Sequence, residues 1–404
     1  MPSIAARIRT AVMQVSPQVW RVLSHSLLFG LAGSVADLLF NFYLVSLGYG
    51  NDTAGLMATI YRGAGALLGL PIGLLIDRFG PRMLLVVGAI GFGVAFALLV
   101  VVSQLWTLAL IVFLAGVANV LALTAVVPLL TGITSGEERA AVFGMNASAA
   151  LIIGLVGSSV GGLLPGLAAA ILGVGAQDTA AYRLALSVVV ALGIASALPV
   201  LLGFRASPYA EVAVTCTTEP RRRLPARALV RFALPSLLLG IGGGVFLPFQ
   251  NLFFRSVFNL SDAAVGATLA IGALGMGLGA LLGAPAAAWL GLRRAASLLR
   301  FGAVLAVALM FAPVLPVVVA GYVLRGAFIA ASFPLNDALV MKLTPAQQRG
   351  AAVSLLTVLW SLGWSVAAWV SGQMQVAYGF VPVLAASLVA YGLSAWAIWS
   401  IREE

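Results

Sequence analysis

The stretch "GLLIDRFGPR", Gly73–Arg82, sets three charged residues, Asp77, Arg78 and Arg82, between two long hydrophobic runs. Only 8% of the 404-residue chain is charged and 62% is hydrophobic, with a mean hydropathy of +1.11. A soluble domain of this length carries far more polar surface. Short charged breaks between apolar runs are the pattern of loops joining membrane spans, each of which needs about 20 mostly apolar residues.

Working outward, Gly, Pro and charge clusters divide the chain into twelve such runs: 20–48, 53–76, 82–103, 106–131, 141–166, 182–204, 229–257, 263–290, 295–314, 317–341, 351–375 and 380–400. They are too long and too continuously apolar for the alternating strands of about ten residues that build a barrel. The sequence predicts an all-α polytopic membrane protein with twelve transmembrane helices. The start, "MPSIAARIRTAVMQV", reads as a cytoplasmic segment (1–19) without a cleavable signal peptide.

Lys/Arg placement sets the orientation. With the N-terminus inside, 18 of the 22 basic residues fall in or beside cytoplasmic segments, Arg300 among them. Arg183 and Arg255 fall near the outer side, and Arg62 and Arg325 inside helices. The expectation is a multi-pass protein of the cell membrane with both termini cytoplasmic. This bias also accounts for the net charge of +10, so no nucleic-acid partner is needed. One Cys, Cys216, and one His exclude an intramolecular disulfide and a Cys/His metal cluster. No cofactor is expected.

Shifted by 210 residues, the sequence partly matches itself. "SLLFGLAG" (26–33) falls on "SLLLGIGG" (236–243), Asn41 on Asn251, Ser46 on Ser256 and Asp52 on Asp262. Gly65, Gly69 and Gly73 fall on Gly275, Gly279 and Gly283. Each half holds six spans, so the halves are parallel repeats about an axis along the membrane normal: a bundle over 20–205, a polar Arg-rich linker over 206–228, and a bundle over 229–404. Two such bundles can rock about a site between them.

The opening stretch resembles the loop signature between the second and third helices of major facilitator superfamily transporters: Gly73, Asp77, Arg78, Gly80 and Arg82 match, and Pro81 stands where a basic residue is common. The resemblance spans the chain and implies a secondary transporter working by alternating access. In the family pattern Asp77 meets a partner near the start of the eleventh helix, so the stretch reads as a cytoplasmic gate latching the outward-open state. "GSSVGG" (157–162) partly resembles the Gly-Pro-x-x-Gly-Gly ending of the fifth helix in proton-coupled antiporters, with Ser158 in place of Pro. The Arg that the family often places in the fourth helix is missing, and that segment offers Asn119 as its strongly polar residue.

Ionisable groups at membrane depth are costly unless paired or hydrated. Asp37, Arg62 and Arg325 lie roughly 15 Å inside their helices at 1.5 Å per residue. None has a charged counterpart at the 210 offset. Two readings stand: a structural Asp37–Arg62 pair between adjacent helices, or Asp37 as the proton carrier with Arg62 and Arg325 holding solute charge. The trio's net charge of +1 points to an anionic or zwitterionic amphiphile. Asp337 is expected at the cytoplasmic gate, paired with Arg293 or Arg294. Asp52 and Asp262 read as helix N-caps by position.

Asn41, Asn119, Gln250 and Asn251 are candidate solute contacts, and Trp360 with Trp364 a candidate stacking surface. The intramembrane glycines of "GALLG" and "GMGLGALLG" read as helix-packing surfaces. No GxxxxGK[ST] appears, so transport must run on a gradient. An intramembrane enzyme would need paired catalytic groups at one depth, which the chain does not offer. The expected function is export of a small hydrophobic or amphiphilic solute by a monomer, with protons and the lipid bilayer as expected partners. Proton-coupled uptake of an organic anion and lipid flipping are the alternatives.

Overall fold

A computed structural model of the protein describes residues 16–134, 136–202, 226–344 and 349–401. Most of the expected N-terminal segment and linker, with Cys216, lies outside them. Among the described residues the chain forms α-helices and one 3₁₀ turn, and no strand.

The first half runs through α1 (Pro17–Ser46), α2 (Asn51–Phe79), α3 (Pro81–Leu99), α4 (Leu105–Ile133), α5 (Gly136–Leu172) and α6 (Thr179–Leu201). In the second half α7 (Ala226–Gly244) and α8 (Gln250–Phe258) make one span broken around the 3₁₀ turn Leu247–Phe249. Helices α9 (Asp262–Ala280) and α10 (Gly283–Leu290) make the next. Then follow α11 (Leu292–Leu309), α12 (Leu315–Leu343), α13 (Arg349–Tyr378) and α14 (Val381–Trp399). Eleven of these spans are long and apolar enough to cross a membrane, counting α2, which bends by 60° between Asn51–Gly69 and Pro71–Phe79. Proline lacks the N–H of a helical ladder and clashes with the preceding turn, which accounts for a bend at Pro71. The twelfth, α11, falls short in apolarity because Arg293, Arg294 and Arg300 lie within it.

The repeat appears in backbone geometry. Gly80, between α2 and α3, has φ 82° and ψ 147°, and Gly291, between α10 and α11, has φ 78° and ψ 158°. Both occupy a region open only to glycine, so the two halves make the same turn, one residue off the 210 offset. Packing repeats as well: α3 lies against α4 and α6, and α11 against α12 and α14.

The chain forms two compact units, Met1–Leu39 with Leu67–Thr217, and Phe40–Ala66 with Thr218–Glu404. The second therefore includes the tip of the α1–α2 hairpin. In the first, α3 meets α4 at Gly88, where a Cβ would strike the backbone of Ala118 and Ala122. In the second, Gly279 on α9 lies against the Ala327 backbone of α12, and Gly275 against Val323. The expectation for the packing glycines is met on α9 and at Gly283 on α10, where a Cβ would strike the Ala331 carbonyl. Gly69 and Gly73 on α2 face open space among the described residues. The cap of α9 is Ser261, whose hydroxyl accepts from the Ala264 N–H at 3.3 Å. Asp262 is instead the first helical residue and pairs with Arg255 at 3.5 Å, a correction to its reading as the cap.

Candidate functional site

Within the second unit, the hairpin tip is closed onto the 3₁₀ turn Leu247–Phe249, α8 and α13. Asn41 donates from Nδ2 to Asn251 Oδ1 at 3.0 Å and to the Pro248 carbonyl. Both asparagines are buried. Asn51 donates to Gln375 Oε1 at 3.0 Å, and Thr59 to the Ser365 carbonyl at 2.7 Å. Gly55 and Gly372 let the backbones of α2 and α13 meet: a Cβ on Gly55 would strike the Ala368 carbonyl, and one on Gly372 the Asn51 carbonyl. Asn41 and Asn251 thus bond each other here.

Asp37 and Arg62 are both exposed along the middle of their helices, Asp37 on the α1 portion of the first unit and Arg62 on the α2 portion of the second. Asp37 sits about 14 Å along α1 from Ser46 and Arg62 about 17 Å along α2 from Asn51. The Arg62 guanidinium lies 5.0 Å from the centre of the Trp364 ring, a cation–π contact. Around Asp37, α1 is held by α5: a Cβ on Gly157 would run into Ser34, and one on Gly161 into Leu38. The glycines of "GSSVGG" are therefore the surface that seats the Asp37 turn. Asn119 is half-buried on α4.

Arg325 is buried. Its Nη1 donates to the Tyr391 hydroxyl at 2.9 Å, and its guanidinium lies 5.7 Å from the Phe246 ring and 5.9 Å from Tyr322. Its Nε has no hydrogen-bond partner among the described residues. The Tyr322 hydroxyl donates to Oε1 of half-buried Gln250 at 2.8 Å. Trp360 is half-buried, its ring edge-on to Phe333 at 6.5 Å.

Asp337 has a different neighbour from the one expected. Arg293 donates to the carbonyls of Trp399 and Ile401 and Arg294 is exposed, while the charge in electrostatic reach of half-buried Asp337 is Arg300. Arg300, counted in or beside a cytoplasmic segment, is fully buried in the bundle. It donates from Nη1 to Ser394 Oγ at 2.6 Å and to the Pro235 carbonyl at 3.3 Å, and from Nε to Ser332 Oγ at 3.3 Å. One residue thereby ties α11 to α7, α12 and α14. It lies within the run 295–314 expected to span. Sequence reasoning also passed over Tyr322, Tyr391 and His25. The histidine is buried with Nδ1 2.9 Å from the Ser196 carbonyl and its ring stacked on Phe29.

In the opening stretch, Asp77 and Arg78 are exposed, Arg78 lies 5.3 Å from the Phe79 ring, and Arg82 donates to the Leu201 carbonyl at 3.1 Å. The expected partner at the start of α13 lies next to residues 345–348, outside the described residues.

Two parallel repeats of membrane helices, a closed hairpin tip and ionisable groups exposed mid-span define a polytopic membrane transporter. The Major Facilitator Superfamily pattern matches residues 22–234 and again 232–404. The chain belongs to that superfamily. Its fold is similar to the nucleoside transporter NupG, at 16% identity over 95% of this chain and 100% of that one, with a TM-score of 0.73. It is also similar to a bacterial homologue of the human lysosomal transporter Spinster in an inward-facing, occupied conformation (17%, 95% and 92%, TM-score 0.72). A D-xylose-proton symporter is a third (15%, 95% and 97%, TM-score 0.72). At these identities the likeness is one of fold. No curated protein sequence matches the chain significantly.

Proposed function

We propose that this transporter moves a small amphiphilic solute bearing a negative group, coupled to protons. Asp37 takes up and releases the proton, and Arg62 and Arg325 hold the solute's charge. The observation carrying this is the exposure of Asp37 halfway along a span. A carboxylate at such depth is costly unless water reaches it. Protonation is the inexpensive way for it to pass between hydrated and closed states. Arg62, exposed on the ring face of Trp364, offers an anion a charge and an aromatic surface together.

With both termini in the cytoplasm, as the Lys/Arg bias supports, the Asn41–Asn251 closure lies on the outer side. Asp77 and its neighbours then form the opposing cytoplasmic gate, which locks when the outer side opens. Proton-coupled export is the reading favoured by the partial antiporter signature, whose glycines seat the Asp37 turn. The charge arrangement favours a second reading. An anion and a proton neutralise one another's cost and so travel together, which is uptake under an inward proton gradient.

The test is proteoliposomes with an imposed pH gradient and labelled anionic, zwitterionic and cationic amphiphiles. The proposal expects gradient-driven flux of a solute with a negative group, and the sign of that flux decides between export and uptake. Flux confined to cations, or indifferent to the gradient, contradicts it.

A further inference from the structure

Helix α8 is a short piece set between two breaks: the 3₁₀ turn Leu247–Phe249 before it and Asn259, at φ 52°, after it. Its aromatic residues seat it on the second bundle. Phe253 meets Phe380, just ahead of α14, edge-on at 5.3 Å, and Phe254 meets Tyr322 of α12 edge-on at 5.3 Å. Asn251 and Arg255, one helix turn apart and so on a shared face, reach instead for two consecutive residues of α1. Asn251 accepts from Asn41, and the Arg255 guanidinium lies 4.5 Å from the centre of the Phe42 ring. Nη1 of Arg255 is also 3.5 Å from Oδ1 of Asp262, in the first turn of α9. This ion pair is largely withdrawn from water, its side chains 16% and 9% exposed, and Phe42 is fully buried. The arrangement breaks the repeat: at the 210 offset Val45 and Leu252 stand where a mirrored pair would need Arg and Phe.

We propose that Arg255 is a gate residue of the transport cycle: it latches the hairpin tip through the ring of Phe42, and Asp262 positions it. The proposal is independent of the proton and solute roles of Asp37, Arg62 and Arg325. A guanidinium kept from water is costly unless it is compensated, and the compensation here has two parts. The carboxylate supplies one, at a distance longer than the roughly 2.7–2.9 Å of a tight charge-assisted hydrogen bond. The ring face of Phe42 supplies the other, as a cation–π contact. The two parts respond differently when this end opens. Asp262 begins the helix that follows α8, three residues past Asn259, and stays beside Arg255. Phe42 leaves with the tip. Opening therefore exchanges the ring face for water around an arginine that keeps its counter-charge, and closing reverses the exchange. A planar guanidinium can lay its face on a ring while its edge meets a carboxylate; the compact ammonium of lysine cannot do both equally well. Arg255 thus adds to the Asn41–Asn251 pair a second fastening, one turn further along α8 and dependent on charge.

The test is the rate at which a thiol reagent labels a cysteine placed at buried Thr53 in the tip, in the purified full chain carrying Cys216→Ser, held in lipid nanodiscs so that the reagent reaches both faces. Arg255→Met keeps an aliphatic contact and removes the charge. It is expected to label about fivefold faster than the parent, the factor set by a cation–π contact of ordinary strength, while melting within a few degrees of it. Phe42→Leu should match it, and the two together should be no faster than either. Asp262→Asn should label faster still, because closing then buries a charge without its counter-charge. Adding Arg255→Met to Asp262→Asn should bring the rate back down to that of Arg255→Met alone, a reversal that loss of packing would not produce. Parent-like labelling in Arg255→Met and Phe42→Leu, with faster labelling in Asn41→Ala, overturns the latch and leaves the tip closure standing. Effects of Arg255→Met and Asp262→Asn that simply multiply in the double variant overturn the positioning role of Asp262.

Discussion

Asn41 and Asn251 occupy equivalent positions in the two sequence repeats, 210 residues apart, and they hydrogen-bond to each other at 3.0 Å. The contact between these two equivalent residues closes the hairpin tip. Asn251 Oδ1 also accepts from the Leu252 N–H at 2.9 Å, which fixes the acceptor toward Asn41. Removing either side chain leaves a buried polar group unsatisfied, at about 1–3 kcal/mol. Asn41→Ala should therefore shift the population toward the state with this end open. In a Cys216→Ser background, a cysteine placed at buried Thr53 should react faster with a membrane-impermeant thiol reagent. An unchanged rate would show that the pair does not hold the closure.

Gly55 and Gly372 let two backbones touch at the same end. Gly372→Leu cannot be accommodated by a side-chain rotation, since the obstacles are the backbone of Asn51 and of Gly55. The closed tip should then be lost outright, with labelling at the same cysteine faster than in Asn41→Ala. Equal protection in Gly372→Leu and the parent would refute the close approach.

Packing within the second unit should be equally strict. Gly279→Leu would drive a side chain into the Ala327 backbone, and overpacking of this kind costs about 1–3 kcal/mol or more. Gly69→Ala and Gly73→Ala meet open space and should melt within a few degrees of the parent. Thermal unfolding in detergent, followed by tryptophan fluorescence, separates the two groups.

Arg300 makes a different demand. Arg300→Met strips hydrogen bonds from Ser332 and Ser394 and leaves Asp337 half-buried without its counter-charge. Leaving the buried acceptors of Arg300 unsatisfied costs about 1–3 kcal/mol each, and the same unfolding assay should show a fall in Tm. The double variant Arg300→Met with Asp337→Leu should recover much of it. A double variant as unstable as the single would place the role of Arg300 in its hydroxyl contacts alone.

Run length, glycine turns and the constant offset made the fold legible in the sequence, because each is a local property of the chain. The equivalence of Gly80 and Gly291 was foreshadowed in "RFGPR" and "WLGLRR". What was not legible was which neighbour each polar residue meets. The symmetry of Asn41 and Asn251 was visible, and their contact was not. Arg300 was counted with Arg293 and Arg294 beside the cytoplasmic loop, and its hydrogen bonds to Ser332 and Ser394 were not legible from that count. Asp37 and Arg62 were found by depth alone, since an ionisable group amid twenty apolar residues is conspicuous whatever surrounds it.

The central claim is that Asp37 carries the coupled proton, and the direct measurement compares wild type with Asp37→Asn in proteoliposomes, by solute flux under an imposed pH gradient and by solute exchange without one. The account predicts that Asp37→Asn, fixed in a neutral form, keeps exchange and loses gradient-driven flux to the level of protein-free vesicles. Gradient-driven flux in Asp37→Asn equal to that of the wild type would contradict it.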